Sequence, residues 1–244
     1  MKVVEARQLY KKFIIDINPL TMFNLLKRII KPQKHYMEIY ALKDINFEAF
    51  QGDRIALIGD NGSGKTTLLR LIAGLYKKTE GSIYINGDIA AFLQLGVGME
   101  RNLSALENIF LFGAIMGLER KEIKSKLDDI AEFAEIENFL HCPIRDFSTG
   151  MVQRLAFSIA RFVKTEIILL DDLFVSTDIG FRERCYSVFE HFVNNSKTIM
   201  FTSHDIGIIR KFCNKALLLD EGNQIVFGPT EEVLDIYHRN KNLR

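Results

Sequence analysis

The sequence predicts an α/β fold, a core of buried parallel strands interrupted by a helical insert. Three observations carry this expectation. Short apolar runs recur that end abruptly in glycine or polar residues, as strands buried on both faces do. The first of these runs passes through a glycine-rich turn into a helical pattern. Helical periodicity then dominates from about Leu103 to Val163, before the next two apolar runs.

Taken in chain order, Val3 to Phe13 and Ala41 to Phe50 mix alternating and apolar positions like strands of a half-exposed sheet. Between them, Leu20 to Lys31 places Met22, Leu25, Leu26, Ile29 and Ile30 on one stripe, with Asn24, Lys27, Arg28 and Lys31 opposite, bracketed by Pro19 and Pro32. This reads as a short basic amphipathic helix, either packed on its own domain or contacting a membrane surface or a partner. Arg54 to Gly59 is a buried strand, and Thr67 to Leu75 has helical spacing. Helices are expected over Arg120 to Phe133 and Met151 to Phe162. Thr165 to Asp171 and Lys197 to Ser203 are the two further buried strands.

Composition excludes several classes. The chain has 244 residues, 48% of them hydrophobic and 26% charged, which is globular rather than disordered. Lys plus Arg is 32 against 31 for Asp plus Glu, so no global positive field makes nucleic acid the expected partner. Cys142, Cys185 and Cys213 are odd in number and far apart, which fits a reducing compartment rather than a disulfide framework or thiolate zinc site. No stretch approaches the roughly 20 apolar residues of a membrane-spanning helix, and the N-terminus lacks a signal-peptide core.

Gly59-Asp-Asn-Gly-Ser-Gly-Lys65-Thr66 fits GxxxxGK[ST] between a strand and a helix. Glycines let the backbone curl so that its N–H groups face phosphate, and the next helix adds its positive dipole end. Gly59, Asn61, Gly62, Ser63, Gly64, Lys65, Thr66 and Thr67 are the candidate nucleotide-binding residues. Lys65 reaches toward the β- and γ-phosphates, and Thr66 toward Mg²⁺. Asp171 and Asp172 end the second strand, where Asp171 fits a metal role and Asp172 a base that orients water. Thr202-Ser203-His204-Asp205 ends the third strand, at the same carboxyl edge, with His204 a candidate contact of the γ-phosphate. His35, His141, His191 and His238 lack such context and are expected at the surface.

Phe147-Ser-Thr-Gly-Met151, followed by Val-Gln-Arg-Leu-Ala-Phe157, resembles the signature motif that ABC ATPases usually write as LSGGQ. Phosphate loop, signature, acidic strand, Val175 to Asp178 like a D-loop, and His204 like a switch histidine follow the family's order. The resemblance implies a P-loop NTPase (RecA-like) ABC ATPase core with an antiparallel β subdomain and an inserted helical subdomain. It divides one domain, 1–244, into a core with β subdomain at about 1–99 and 164–244 and a helical subdomain at about 100–163. It also implies ATP and Mg²⁺ as cofactors, and a dimer in which Ser148, Gly150 and Met151 of one copy cap nucleotide on the loop of another. Ser148 equally fits a helix N-cap. By the same resemblance Tyr40 stacks on adenine, its other reading being a core strand aromatic, and Gln94 links the metal site to a transmembrane partner.

Leu93 to Met99, Leu103 to Ile109, the form of the signature and the extra segment between Leu9 and Tyr40 resemble ABC ATPases that export bacterial surface polysaccharides. That resemblance implies a homodimer working with a permease dimer on lipid-linked O-antigen, capsule or teichoic acid, peripheral at the cytoplasmic face of the inner membrane. The chain is expected to lack the appended carbohydrate-binding domain of some members. An ABC ATPase for a lipid, drug or peptide is the alternative; a soluble ABC ATPase of translation or DNA maintenance fits less well. The family usually has Glu where Asp172 stands. The side chain is one methylene shorter, which predicts slow hydrolysis.

Overall fold

In a computed structural model, residues 1–16, 36–93, 98–171 and 179–242 are described. The amphipathic segment 20–31, Gln94, Asp172, Val175 to Asp178 and His35 lie outside them. Nine described strands form one mixed sheet: β1 (Lys2–Asp16), β2 (Tyr36–Phe50), β3 (Arg54–Ile58), β4 (Glu80–Ile85), β5 (Ile89–Phe92), β6 (Ile167–Leu170), β7 (Thr198–Thr202), β8 (Lys215–Asp220) and β9 (Asn223–Pro229), in the order β4-β1-β2-β9-β8-β3-β7-β6-β5. β3 lies parallel to both β7 and β8, and β6 parallel to both β5 and β7. The loops leaving β3, β5, β6, β7 and β8 therefore share one edge of the sheet. β1 pairs antiparallel with β2 and β4, and β8 with β9.

The central strands are apolar throughout because both of their faces are covered, and the pleat sorts their side chains by parity. Ile55, Leu57, Ile167, Leu169, Met200, Leu217 and Leu219 point into one core, shared with β1, β2 and helix α1 (Lys65–Ile72). Ala56, Ile58, Ile168, Leu170, Ile199, Phe201, Ala216 and Leu218 point into the other. The second core takes helices α2 (Ala105–Ile115), α3 (Arg120–Ser125), α4 (Leu127–Ala134), α5 (Thr149–Ala160), α6 (Ile179–Asn194), α7 (Ile206–Phe212) and α8 (Thr230–Asn242). Phe157 of α5 is 1% exposed there, and its truncation to alanine should cost about 3–5 kcal/mol through the cavity left behind.

Two expected helices differ in detail. The helix after the phosphate loop runs from Lys65 to Ile72 rather than from Thr67 to Leu75, because Gly74 turns left-handed at φ +73 and leaves Leu75 64% exposed. Arg120 to Phe133 is two helices, not one. At Lys126 (φ −109) the amide is shared between the Glu122 and Ile123 carbonyls, both at 3.1 Å, before Ile130 N resumes the ladder to Lys126 O at 2.9 Å. That break re-aims α4 so that Ile130, Ala131, Phe133 and Ala134 are all buried. The apolar spacing continues across it.

The β1–β2 pair extends beyond the rest of the sheet, its register continuing to Asp16 opposite Tyr36. On this ribbon Ile14 is 64% and Met37 48% exposed.

Candidate functional site

The phosphate loop grows directly out of β3, and its curl is enforced by crowding. Gly59 (φ +146) passes so close to β8 that a Cβ would lie 2.1 Å from the Leu219 carbonyl oxygen. Gly64 (φ +108) sits against β2, where a Cβ would lie 2.6 Å from the Ala41 oxygen. Only glycine satisfies both the backbone region and the contact.

Gly64 is also the N-cap of α1; a glycine there brings no side-chain cap to the helix's first amides, and the first turn carries no acid. Other helices of the chain differ. Ser104 and Glu107 form a capping box on α2, Ser148 accepts from Met151 N at 3.2 Å on α5, and Asp205 accepts from Gly207 N and Ile208 N on α7. An uncapped helix start beside a curled glycine loop leaves amides aimed at a shared anion. Ala41, Asn61, Gly62, Gly64, Lys65, Thr66 and Thr67 line the concavity in front of it.

Two side chains of the loop fit the same occupant. Ser63 is 3% exposed, and its Oγ is buried without a hydrogen-bond partner among the described residues. Lys65 is 7% exposed and folds its ammonium back onto the loop, donating to the Gly59 oxygen at 2.7 Å and the Asp60 oxygen at 2.9 Å. A buried hydroxyl with no partner among the described residues, an ammonium donating to two loop carbonyls and a helix N-terminus facing the loop together suit a polyphosphate.

The acidic end lies two strands away, roughly 10 Å at normal strand spacing. Asp171 leaves β6 half-buried, its amide bonded to the Phe92 oxygen and its Oδ1 accepting from Thr202 Oγ1 of β7 at 2.8 Å. Thr202 is 1% exposed, so this carboxylate is steadied from within the core. His204 follows β7, between β3 and β6 in the sheet, and is exposed. Ser203 and Asp205 are turned to structural work: Ser203 Oγ accepts from Asp205 N at 3.0 Å, and Asp205 caps α7. A Thr66 hydroxyl and the Asp171 carboxylate are oxygen donors of the kind Mg²⁺ takes.

The loop, Asp171, Thr202 and His204 thus gather at one sheet edge. Ser148 and Gly150 do not join them within the chain. They are exposed at the start of α5, which packs on the face opposite α1. Met151 is half-buried against the helical core. Tyr40 is not a core aromatic but 40% exposed on β2, with the Lys12 ammonium 5.7 Å from its ring centre. His141, His191 and His238 are exposed, the last two on helices. Sequence spacing does not reveal the partnership of Thr202 with Asp171; the capping role of Asp205 is signalled by an aspartate followed by a short apolar helix. Among the described residues no helix is long and apolar enough to cross a membrane.

Residues 42–175 match the ABC transporter family. The O-antigen export system ATP-binding protein RfbB of Klebsiella pneumoniae is 34% identical over 220 residues, covering 90% of this chain and 86% of that protein. The teichoic acids export ATP-binding protein TagH of Lactococcus lactis is 35% identical over 237 residues, 97% of this chain and 50% of that one. In fold, the chain resembles a dimeric ATP-binding cassette in a post-hydrolysis state bound to ADP and Pi, with a TM-score of 0.73 at 23% identity over 93% of this chain and 98% of that one. A glycine loop shaped for polyphosphate, an acid steadied at the same sheet edge and a match across more than half of the sequence agree: the chain belongs to the ABC transporter family and is one of its ATPases.

Proposed function

We propose that the chain binds and hydrolyses MgATP as one half of a homodimer and drives export of a lipid-linked surface polysaccharide, such as O-antigen, capsule or teichoic acid, through a permease dimer. It works from the cytoplasmic face of the inner membrane. The observation that carries the cargo is similarity over nine-tenths of the chain to O-antigen export ATP-binding proteins from two organisms.

The Gly59 to Thr67 loop holds the phosphates, and Lys65 exchanges its carbonyl partners for phosphate oxygens as nucleotide enters. Thr66 and Asp171 hold Mg²⁺, with Gln94 linking that site to the permease; the ion supplies charge neutralisation on the phosphates when bound. Tyr40 stacks on the adenine, beside the mouth of the loop. Asp172 orients the attacking water and takes its proton, and His204 donates to a γ-phosphate oxygen. Ser148, Gly150 and Met151 close the site from a second copy, because the sheet keeps them on the far side of their own loop. Closure and reopening of that dimer move the permease.

Deleting the chain in its host tests this, with surface polymer and lipid-linked polymer inside the cell measured together. The expected result is loss at the surface with accumulation inside, restored by the parent chain but not by Lys65→Ala. Normal surface polymer would remove the assigned cargo and turn the search to lipids, drugs and peptides.

A further inference from the structure

Glu135 ends helix α4 in the left-handed region, at φ 57 and ψ 47, a place that glycine occupies without strain. A glutamate there carries a backbone cost that glycine would avoid. Its two carboxylate oxygens reach different parts of the molecule. Oε2 lies 3.3 Å from Arg154 Nη1, on the signature helix α5, and Oε1 lies 2.6 Å from Arg184 Nη2, on α6. Arg184 also donates through Nη1 to the Phe133 oxygen at 2.9 Å, one of the open carbonyls at the end of α4.

These contacts join pieces that the chain keeps apart. Arg154 stands two turns along the helix that Ser148 begins, and α6 is the first helix after the segment that carries Asp172 and Val175 to Asp178. Glu135 is therefore one point, among the described residues, where the signature helix is tied to the core helix that follows the acidic strand. The tie is a weak one. Glu135 is half-exposed and Arg184 nearly so, and solvent screens such pairs until they add little to folding. A strained residue making screened ion pairs is a poor stabiliser, but its contacts join α4 to both α5 and α6.

We propose that Glu135 is a positioning residue for ATP hydrolysis: by holding Arg154 and Arg184 at once, it sets the pose of the signature helix and so the reach of Ser148 and Gly150 toward nucleotide on a second copy. The proposal rests on the composite site described above and adds the group that orients it.

The test uses the purified full-length chain, comparing Glu135→Gln and Glu135→Gly with the parent and with Lys65→Ala. Steady-state hydrolysis of MgATP, direct ATP binding and melting temperature are measured for each. The expected result for both Glu135 variants is a kcat lowered about ten-fold with an ATP Kd within about two-fold of the parent, since the loop is untouched. Glu135→Gly should melt no lower than the parent, because glycine relieves the left-handed strain. A kcat within about two-fold of the parent in both variants overturns the proposal. So does a loss of kcat that appears only with a matching fall in melting temperature. If Lys65→Ala hydrolyses ATP as fast as the parent, the hydrolysis reading itself has failed, and the proposal falls with it.

Discussion

Replacing Thr202 by valine keeps the volume and the branched shape that a buried strand position needs, and removes one donor. The 2.8 Å hydrogen bond to Asp171 Oδ1 is lost. A hydrogen bond to a charged acceptor contributes roughly 1.5–3 kcal/mol. Asp171 is only half-buried, so water replaces part of it, and the lower end applies: about 1.5 kcal/mol. At about 2–4 °C per kcal/mol for a chain of this size, Thr202→Val should melt about 3–6 °C lower by calorimetry. The carboxylate also loses the contact that sets its orientation. Removing a partner that orients a metal-binding group typically weakens metal binding by about 10- to 100-fold, and the Mg²⁺ concentration for half-maximal hydrolysis should rise by about ten-fold. A melting temperature within about 1 °C of the parent, with superimposable Mg²⁺ curves, would refute the claim that Thr202 steadies the acid.

Gly64→Ala forces a left-handed alanine whose Cβ meets the Ala41 oxygen at 2.6 Å and Leu42 Cδ2 at 2.7 Å. The backbone term alone is about 1–2 kcal/mol, so calorimetric titration should show ATP binding weakened at least five-fold or so; unchanged affinity would mean the loop does not hold the phosphates. Asp172→Glu extends the carboxylate by roughly 1 Å toward the reacting water and should raise kcat at saturating ATP, whereas an unchanged or lower rate sinks the account of slow hydrolysis. Glu5 is held by Lys2 first and Arg7 second, which push its carboxyl down from 4.5 to about 2. Because the folded value is the lower one, this group favours the fold above pH 4.5, and the contribution is lost as pH falls through about 2. An NMR titration should show that low midpoint in the parent and one returned toward the ordinary carboxylate range in Lys2→Met.

The elements legible in the sequence were those whose burial is written locally. β3, β6 and β7 are covered on both faces, so each is an unbroken apolar run, and the polar residue that ends it marks the functional edge. β5 was not legible. Ile89-Ala-Ala-Phe92 is four residues, too short for periodicity, and becomes a strand because β6 offers it a parallel edge. The split at Lys126 was hidden because apolar spacing persists through a change of helix direction. Within the site, the loop could be read from its glycines because their spacing is itself the geometry. The bond from Thr202 to Asp171 joins residues 31 apart, and the contacts of Glu135 with Arg154 and Arg184 join three helices. Such convergence is decided by strand order and helix packing, which a linear pattern does not encode.

The ammonium of Lys65, donating to both the Gly59 and the Asp60 oxygens, braces the loop from within. Those two bonds tie the backbone at the start of the loop to a side chain at its end, and so help set its curl. Nucleotide binding at this position is then a swap of acceptors rather than the ordering of a slack loop. It follows that Lys65→Ala removes two things at once, a contact with ligand and the strut that keeps the cradle open. Part of any affinity lost in that variant belongs to the shape of the loop rather than to the contact with phosphate.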